Sequence, residues 1–368
     1  MNITIITDHE GFLGIREDWE RLEKLDKQIA YYSTFRFNYS WWLAFGEDRN
    51  YKLFIICCYR DQQIVGIAPL MIRRNDKMIL SCNVLCFIGQ GDYLDMLVDN
   101  RHYSAQSIIK NIFMAIQENS SEWDRISLTH IHMNSRLLHY LQRHDTYNPH
   151  IEYLTSCPRM NMREYGSFEQ LSEDIFNKKM RKKPGKMQKQ IPYTFRVIRG
   201  SQSEDIYDRI SYVHKQEKDY LQNERGRTER RSVFDDEHNE AFYRTLFRGN
   251  EDVVIFLLES QDGEIIIYSC CYLFGNVSYD WNTGYTPKYA GFHGIADVLQ
   301  MEIVQYLFEN RVADQIDLGA GAYSWKFRWT NQFVVNYAMH YWNPSNFSSS
   351  LLHGLVKTRR FLQKGVLA

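Results

Sequence analysis

The chain has 368 residues, enough for two domains of ordinary size with well-buried cores. Hydrophobic residues make up 44% of it, which excludes a disordered protein, and the formal net charge of −1 argues against a surface built wholly for nucleic acid. Seven cysteines without metal-type spacing predict buried thiols in a reducing compartment and no metal site. No stretch approaches the roughly 18 apolar residues of a membrane span, so we expect a cytoplasmic protein.

The first half of the chain reads as helices followed by a hairpin, a helix and a strand. The helical segments GIREDWERLEKLDKQI and SWWLAF lead to an apolar strand at 52–59 and a polar turn into IVGIAPLMI. The helical stretch SAQSIIKNIFMAIQEN and the strand DRISLTHI follow. The second half has a glycine-containing turn before its long helix, as described below, and no comparable turn precedes this helix. We therefore expect the first half to be a scaffold, or a wall on the side of the site where the acceptor substrate binds.

The second half repeats this order of elements. After three helical segments, the strand VVIFLLE turns at Asp262-Gly263 into EIIIYSCCYLF, and VSYDWNTGY, the helix GIADVLQMEIVQYLFEN and the strand DQIDLGAG follow. This self-similarity predicts a duplicated α/β (α+β) fold, in which each unit is a mixed, mostly antiparallel sheet flanked by helices. We place the boundary near two prolines, giving domains at 1–157 and 158–368.

Two carboxylates in the second half stand out because apolar strands surround them. Asp280 ends the run Val277-Ser-Tyr-Asp, where burial would raise its pKa and make it a usable base, or where it could be a hydrogen-bonded turn carboxylate. Asp317 lies mid-strand, and a buried charge there needs a partner, for which Lys326 is available nine residues on. Between them, Gly319 and Gly321 let the chain fold back.

Aromatic residues gather around these carboxylates. They make up 15% of the whole chain, which is typical either of Tyr- and Phe-rich sheets or of a groove for a sugar-like ligand. The candidates for substrate contact are Tyr279, Trp281, Tyr285, Tyr323 and Trp325. A structural salt bridge on an aromatic rim is the alternative for the 317–326 segment.

A glycine-containing turn precedes the long helix of the second half. It runs Thr286-Pro-Lys-Tyr-Ala-Gly-Phe-His-Gly-Ile, and the free amides of a helix N-terminus favour a phosphate. The candidate phosphate contacts are Lys288, Gly291, His293 and Gly294. A helix entry that merely contains glycines is the alternative.

The order and spacing of these motifs resemble the GNAT acyltransferase superfamily, and the pairing of units resembles its Fem-type tandem and CelD-like branch, associated with bacterial polysaccharide biosynthesis. The residues that carry the resemblance include Tyr32-Ser-Thr-Phe-Arg-Phe, Gln63-Ile-Val-Gly-Ile-Ala-Pro-Leu and Asp317-Leu-Gly-Ala-Gly with Trp325-Lys326. The resemblance implies a second-half transferase that uses acetyl-CoA or another acyl-CoA. It also implies that two neighbouring strands part to hold the pantetheine arm, and the candidates are residues 265–274 and 277–285.

In such a transferase Asp280 would be the base, and Asp317 and Lys326 would lie at the mouth of the cleft. The family's phosphate loop usually reads Gln/Arg-x-x-Gly-x-Gly/Ala, from which Lys288-x-x-Gly291-x-His293 departs at its last position. Seven cations between 178 and 189 are either a solvated helical face or a phosphate surface, and Pro184-Gly185 should break their helix.

We therefore expect an N-acyltransferase acting on an amino sugar or a related small-molecule amine. Two alternatives stay open. The first is a Fem-like transferase that uses aminoacyl-tRNA, for which the 178–189 run would have to face a cleft and nucleic acid would be a partner. The second is a non-catalytic accessory protein of exopolysaccharide synthesis. A homodimer also stays open.

Overall fold

The computed structural model describes residues 1–77, 80–200, 202–346, 349–350 and 352–354. Two compact units divide the chain. The first holds Met1–Thr155 and the described residues from Val335 onward, and the second is Ser156–Val334.

The first unit contains short helices and two sets of strands. Its elements in chain order are β1 (Asn2–Ile6), α1 (His9–Gly14), α2 (Arg16–Leu25), α3 (Phe35–Phe45), β2 (Tyr51–Leu53), β3 (Ile55–Arg60), β4 (Gln63–Ala68), β5 (Leu70–Lys77), β6 (Leu80–Phe87), β7 (Leu97–Val98), α4 (Ala105–Glu118), β8 (Arg125–His132), α5 (Arg136–Gln142) and the start of β9 (Ile151–Asn161). The strand order is β1-β3-β4-β7 in one sheet. In the other set, β8 pairs in parallel with β6, which pairs with β5.

The second unit carries longer helices around a single set of six strands. Its elements are α6 (Phe168–Ile175), α7 (Lys178–Arg181), α8 (Lys183–Gln190), β10 (Tyr193–Gly200), α9 (Gln202–Arg225), α10 (Glu237–Phe247), β11 (Asn250–Ser260), β12 (Ile265–Phe274), β13 (Val277–Tyr285), α11 (Ile295–Glu309) and β14 (Gln315–Asp317). The strand order is β10-β11-β12-β13-β14-β9, antiparallel except for the β13–β14 pair. These mixed, mostly antiparallel sheets flanked by helices confirm the predicted fold class.

The chain passes between the units at two places, whereas the sequence suggested one division between 157 and 158. The last strand, β15 (Phe333–Trp342), pairs antiparallel with β8, so residues from Val335 onward belong to the first unit. The end of β9 pairs with β14, so residues from Ser156 belong to the second. Strand pairing between residues more than 150 positions apart decides both assignments.

Helix α11 supplies much of the core of the second unit. Its predicted apolar face is buried, with Ile295, Val298, Leu299, Ile303 and Leu307 in one cluster with side chains of β11 and β12. Burial of apolar surface at about 25 cal/mol per Å² makes this the main stabilising contact of the helix. The cluster fixes the start of α11 against the sheet, where the glycine turn lies.

The basic run forms two short helices with buried methionines. Helix α7 ends at Arg181 and α8 begins at Lys183, so Pro184 lies in the first turn of α8. Proline is tolerated there because the first turn of a helix needs no N–H from it. The predicted break therefore occurs, but just before the Pro-Gly pair.

No helix in the described part of the chain is long and apolar enough to cross a bilayer.

Candidate active site

The strands of the second unit part between β13 and β14. Their parallel pairing covers only three positions, which end at Tyr279 opposite Asp317, while β13 continues to Tyr285. The parting predicted between 265–274 and 277–285 is wrong, because β12 and β13 pair from Phe274–Val277 through Ile267–Tyr285. The opening lies one strand further along the sheet.

A β-bulge in β13 decides which side chains face this opening. Cys271 pairs with Asp280 and Cys270 with Asn282, so Trp281 is the extra residue. A bulge of this kind re-aims the side chains around it. Trp281, a predicted substrate contact, packs against Tyr243 with ring centroids 4.2 Å apart, in a cluster with side chains of α10.

Asp280 lies on the same face as Cys271, where both are close to the end of β14. The Cys271 thiol donates a hydrogen bond to Asp280 Oδ1 at 3.2 Å. Burial raises the pKa of Asp280 to about 7, and the negative charge of Asp317 acts in the same direction, while the Cys271 hydrogen bond and Lys326 oppose it. A carboxyl with this pKa is divided between acid and base near neutral pH.

Asp317 is 1% exposed, and its partner is a residue that the sequence analysis did not select. Arg159, on β9, places Nε at 2.8 Å and Nη2 at 2.7 Å from Asp317 Oδ2. The other carboxylate oxygen accepts the Gly319 N–H at 2.8 Å. The salt bridge expected with Lys326 is therefore made with Arg159. A buried aspartate in a strand signalled the need for a cation, but not which one.

Lys326 is buried and closes the loop that follows β14. Its ammonium donates to the carbonyls of Gly319 and Ala320, each at 2.8 Å. It also lies 5.5 Å from the ring centroid of Tyr323 and 5.7 Å from that of Trp325, within cation–π range. Gly319 and Gly321 have φ of 76° and 102°, which the tight return of the chain requires.

Three aromatic side chains of this loop are exposed. Tyr323 is 62% exposed, Trp325 48% and Phe327 40%. We call these three the aromatic rim. Of the other predicted contacts, Tyr279 is buried next to Asp317 in the strand register, and Tyr285 is half-buried at the end of β13.

The glycine turn before α11 is only partly open. Gly294 is the N-cap of α11 with φ of 94°, and the exposed Gly291 and His293 precede it. Lys183 of α8 lies against Gly294 and pairs with Asp297, whose other oxygen is 3.5 Å from Arg328 Nη2. Lys183 therefore lies at the predicted phosphate turn, although its position in the sequence indicated only that it belongs to the basic run.

The remaining phosphate candidate, Lys288, pairs with Glu264 at 2.9 Å. In the first unit the corresponding helix, α4, is capped by the side chain of Ser104 and not by glycine. Across the described residues no group of three or more His, Cys, Asp or Glu side chains could hold a metal ion.

We predict that Arg159→Met destabilises the protein by about 3–5 kcal/mol, because it leaves Asp317 buried without a cation. The matched change Arg163→Met removes an exposed ion pair with Asp314 and should cost less than about 1 kcal/mol. Urea unfolding of the full chain followed by tryptophan fluorescence measures both. Adding Asp317→Asn to Arg159→Met should restore part of the loss, and equal losses in the two single variants would contradict the assignment.

The raised pKa of Asp280 also links the site to stability. The folded state keeps this proton to a higher pH than the unfolded chain, so its contribution to stability is lost as pH rises from about 4 to 7. Asp280→Asn has no charge to desolvate and should be more stable than wild type at pH 8, by about 1–4 kcal/mol. The difference should shrink toward pH 5. Urea unfolding at several pH values tests this, with the exposed Asp262→Asn as the control that shows no such difference.

Comparisons with known proteins bear on the fold of the chain and on the family of residues 176–327. Residues 176–327 match the family described as Acetyltransferase (GNAT) domain. The structure is similar to FemX, with a TM-score of 0.58 and 11% identity over 92% of this chain and 97% of that one. It is also similar to L-PGS from Bacillus licheniformis, with a TM-score of 0.52 and 14% identity over 81% and 87% of the two chains.

A tandem GNAT protein from the clavulanic acid biosynthesis pathway shares the fold too, with a TM-score of 0.50 and 10% identity over 94% of this chain and all of that one. No curated protein sequence matches the chain. Residues 176–327 thus match the GNAT domain family, and the chain has the fold of FemX and of a tandem GNAT protein.

Proposed function

We propose that the second unit transfers an acyl group, first of all acetyl, from acyl-CoA to the amine of an amino sugar or a related precursor of a cell-surface polysaccharide or natural product. One observation supports this above the others. Asp280, with a pKa near 7, lies at the position where β13 parts from β14.

The thioester donor would lie in the opening between these strands. Beyond Tyr279, the edge of β13 that faces away from β12 has no pairing with β14, so its backbone groups can hydrogen-bond the amides of a pantetheine arm. The donor phosphates would reach the start of α11, where the first N–H groups of the helix have no partner within it. Gly291, Gly294 and Lys183 would be the contacts there.

Asp280 would be the general base. The acceptor amine arrives as an ammonium ion, and loss of one proton to the carboxylate frees the lone pair that attacks the thioester carbonyl. The C–N bond forms as the C–S bond breaks, the nitrogen gives its second proton to the departing sulfur, and CoA leaves with a free thiol. Lys326 and the Arg159–Asp317 pair fix the charge around this carboxylate.

The aromatic rim would bind the acceptor. Tyr323, Trp325 and Phe327 offer exposed ring faces on the loop that Lys326 holds to the end of β14. Sugar rings present C–H faces that stack on aromatic side chains, while the ammonium of an amino sugar is attracted to the carboxylate beyond. This combination supports an amino sugar over a purely apolar amine.

Acetyl-CoA should raise the Tm of the full chain, and the protein should acetylate glucosamine at a rate that increases from pH 6 to 8 as Asp280 loses its proton. Asp280→Asn should lower kcat by about 100-fold or more and flatten this profile. Asp262→Asn should leave both kcat and the pH profile unchanged. Absence of a Tm shift and of transfer to any amine tested would overturn the proposal, and stabilisation by charged tRNA alone would favour the aminoacyl-tRNA alternative.

Trp325→Ala should raise KM for glucosamine about threefold to tenfold with little change in kcat, because it removes stacking from the bound acceptor. Steady-state kinetics at saturating acetyl-CoA measures this. Tyr212→Ala removes an aromatic side chain of α9 that is 62% exposed and should leave KM unchanged. If both variants behaved alike, the rim would not be the acceptor site.

A further inference from the structure

Helices α7 and α8 present a strongly basic surface. Met180 and Met187 are buried in the core of the second unit and anchor the two helices. Six cations of this segment are exposed, and we call them the α7–α8 basic face: Lys178, Lys179, Arg181, Lys182, Lys186 and Lys189.

The charge of this face is almost unpaired within the described ranges. Arg181 lies 3.6 Å from Glu173, and the other five cations have no acidic partner within 4 Å among the residues that the structure describes. The whole chain carries a formal net charge of −1, so six positive charges on one short surface form a marked local field. A field of this kind attracts and orients an anionic partner.

The basic face adjoins the entrance of the proposed donor site. Lys183 belongs to the same run but turns inward, where it lies against Gly294 and pairs with Asp297 at the start of α11. If the phosphate of the donor lies at this turn, the molecule that carries the acyl group would therefore lie next to the exposed cations.

The size of the face favours a compact partner over a long polyanion. Residues 178–189 span about 18 Å as helix. Exposed acids on the neighbouring helix α6, Glu169, Glu173 and Asp174, border the face and would repel a nucleic-acid backbone that extended beyond it. A bounded patch of one charge sign can steer and orient a protein partner of opposite charge.

We propose that the α7–α8 basic face docks an acidic carrier protein that bears the acyl group as a thioester on a 4′-phosphopantetheine arm. This inference rests on the proposed function and names the source of its donor. The arm would enter between β13 and β14, and its single phosphate would lie near Lys183 and Gly294. This single phosphate needs fewer contacts than the diphosphate of CoA. It therefore suits a turn where Lys183 is already paired with Asp297.

The chemical step is unchanged by the carrier. The acceptor nitrogen gives one proton to Asp280 and forms the amide C–N bond. The C–S bond to the arm breaks, the nitrogen gives its second proton to the departing sulfur, and the carrier protein leaves with a free thiol. Acyl-CoA shares the arm and would serve as a smaller donor that does not need the basic face.

Charge reversal on the basic face tests this directly. The triple variant Lys182→Glu/Lys186→Glu/Lys189→Glu is compared with Lys24→Glu/Lys27→Glu/Lys110→Glu, which changes the net charge equally at exposed lysines of the first unit. The probes are a purified acidic acyl carrier protein loaded with an acetyl group, and acetyl-CoA. We expect the first triple to raise Kd for the carrier protein about tenfold or more and to leave Kd for acetyl-CoA unchanged. The control triple should leave the Kd values for the carrier protein and for acetyl-CoA unchanged. Added salt should weaken only binding of the carrier protein.

The possible failures are distinguishable. Binding of acetyl-CoA without binding of the carrier protein, or equal carrier affinity in both triples, would overturn the docking proposal and leave the proposed function standing. Failure of both donors to bind would overturn the proposed function itself. Binding of an RNA oligonucleotide that only the first triple loses, without carrier binding, would reassign the face to nucleic acid.

Discussion

The early end of β14 is the constraint on which the site depends. Three residues pair in parallel with β13, and Asp317 then turns the chain out of the sheet by accepting the Gly319 N–H. A carboxylate in this position is stable only because Arg159 neutralises it from β9. This ion pair therefore stabilises the point where the strand ends and the sheet opens. It also fixes the position of the negative charge of Asp317, which raises the pKa of Asp280.

Local patterns were sufficient to predict the duplicated fold, the hairpin at Asp262-Gly263 and the burial of Asp317. Local patterns were not sufficient to predict contacts between residues that are distant in the sequence. Arg159 is 158 positions from Asp317 in the sequence, and no periodicity connects them. The parting of the strands was placed one strand too early for a similar reason, since only pairing shows which neighbours separate.

The bulge at Trp281 marks another limit of sequence reasoning. Strict alternation along β13 would place Tyr279 and Trp281 on one face and Asp280 on the other. Trp281 keeps the face of Tyr279, where it stacks on Tyr272 and joins the aromatic cluster of α10. The extra residue instead moves Asn282, which strict alternation would place with Asp280, onto the face of Trp281, where it accepts a hydrogen bond from Tyr268. Lys326 shows a related effect: its spacing from Asp317 suggested an ion pair, but its ammonium holds two carbonyls of the intervening loop.

In the chain, the second unit lies between two segments of the first. This arrangement limits where the protein can be cut or recombined. A fragment cut at the limits of the family match, 176–327, would lack β9 and its guanidinium, and so would leave Asp317 buried with no counter-ion. Recombination near residue 156 would keep this pair but would separate β15 from its partner β8 in the first unit. Selection should therefore keep the two halves together as one heritable piece, although each resembles a module that could stand alone.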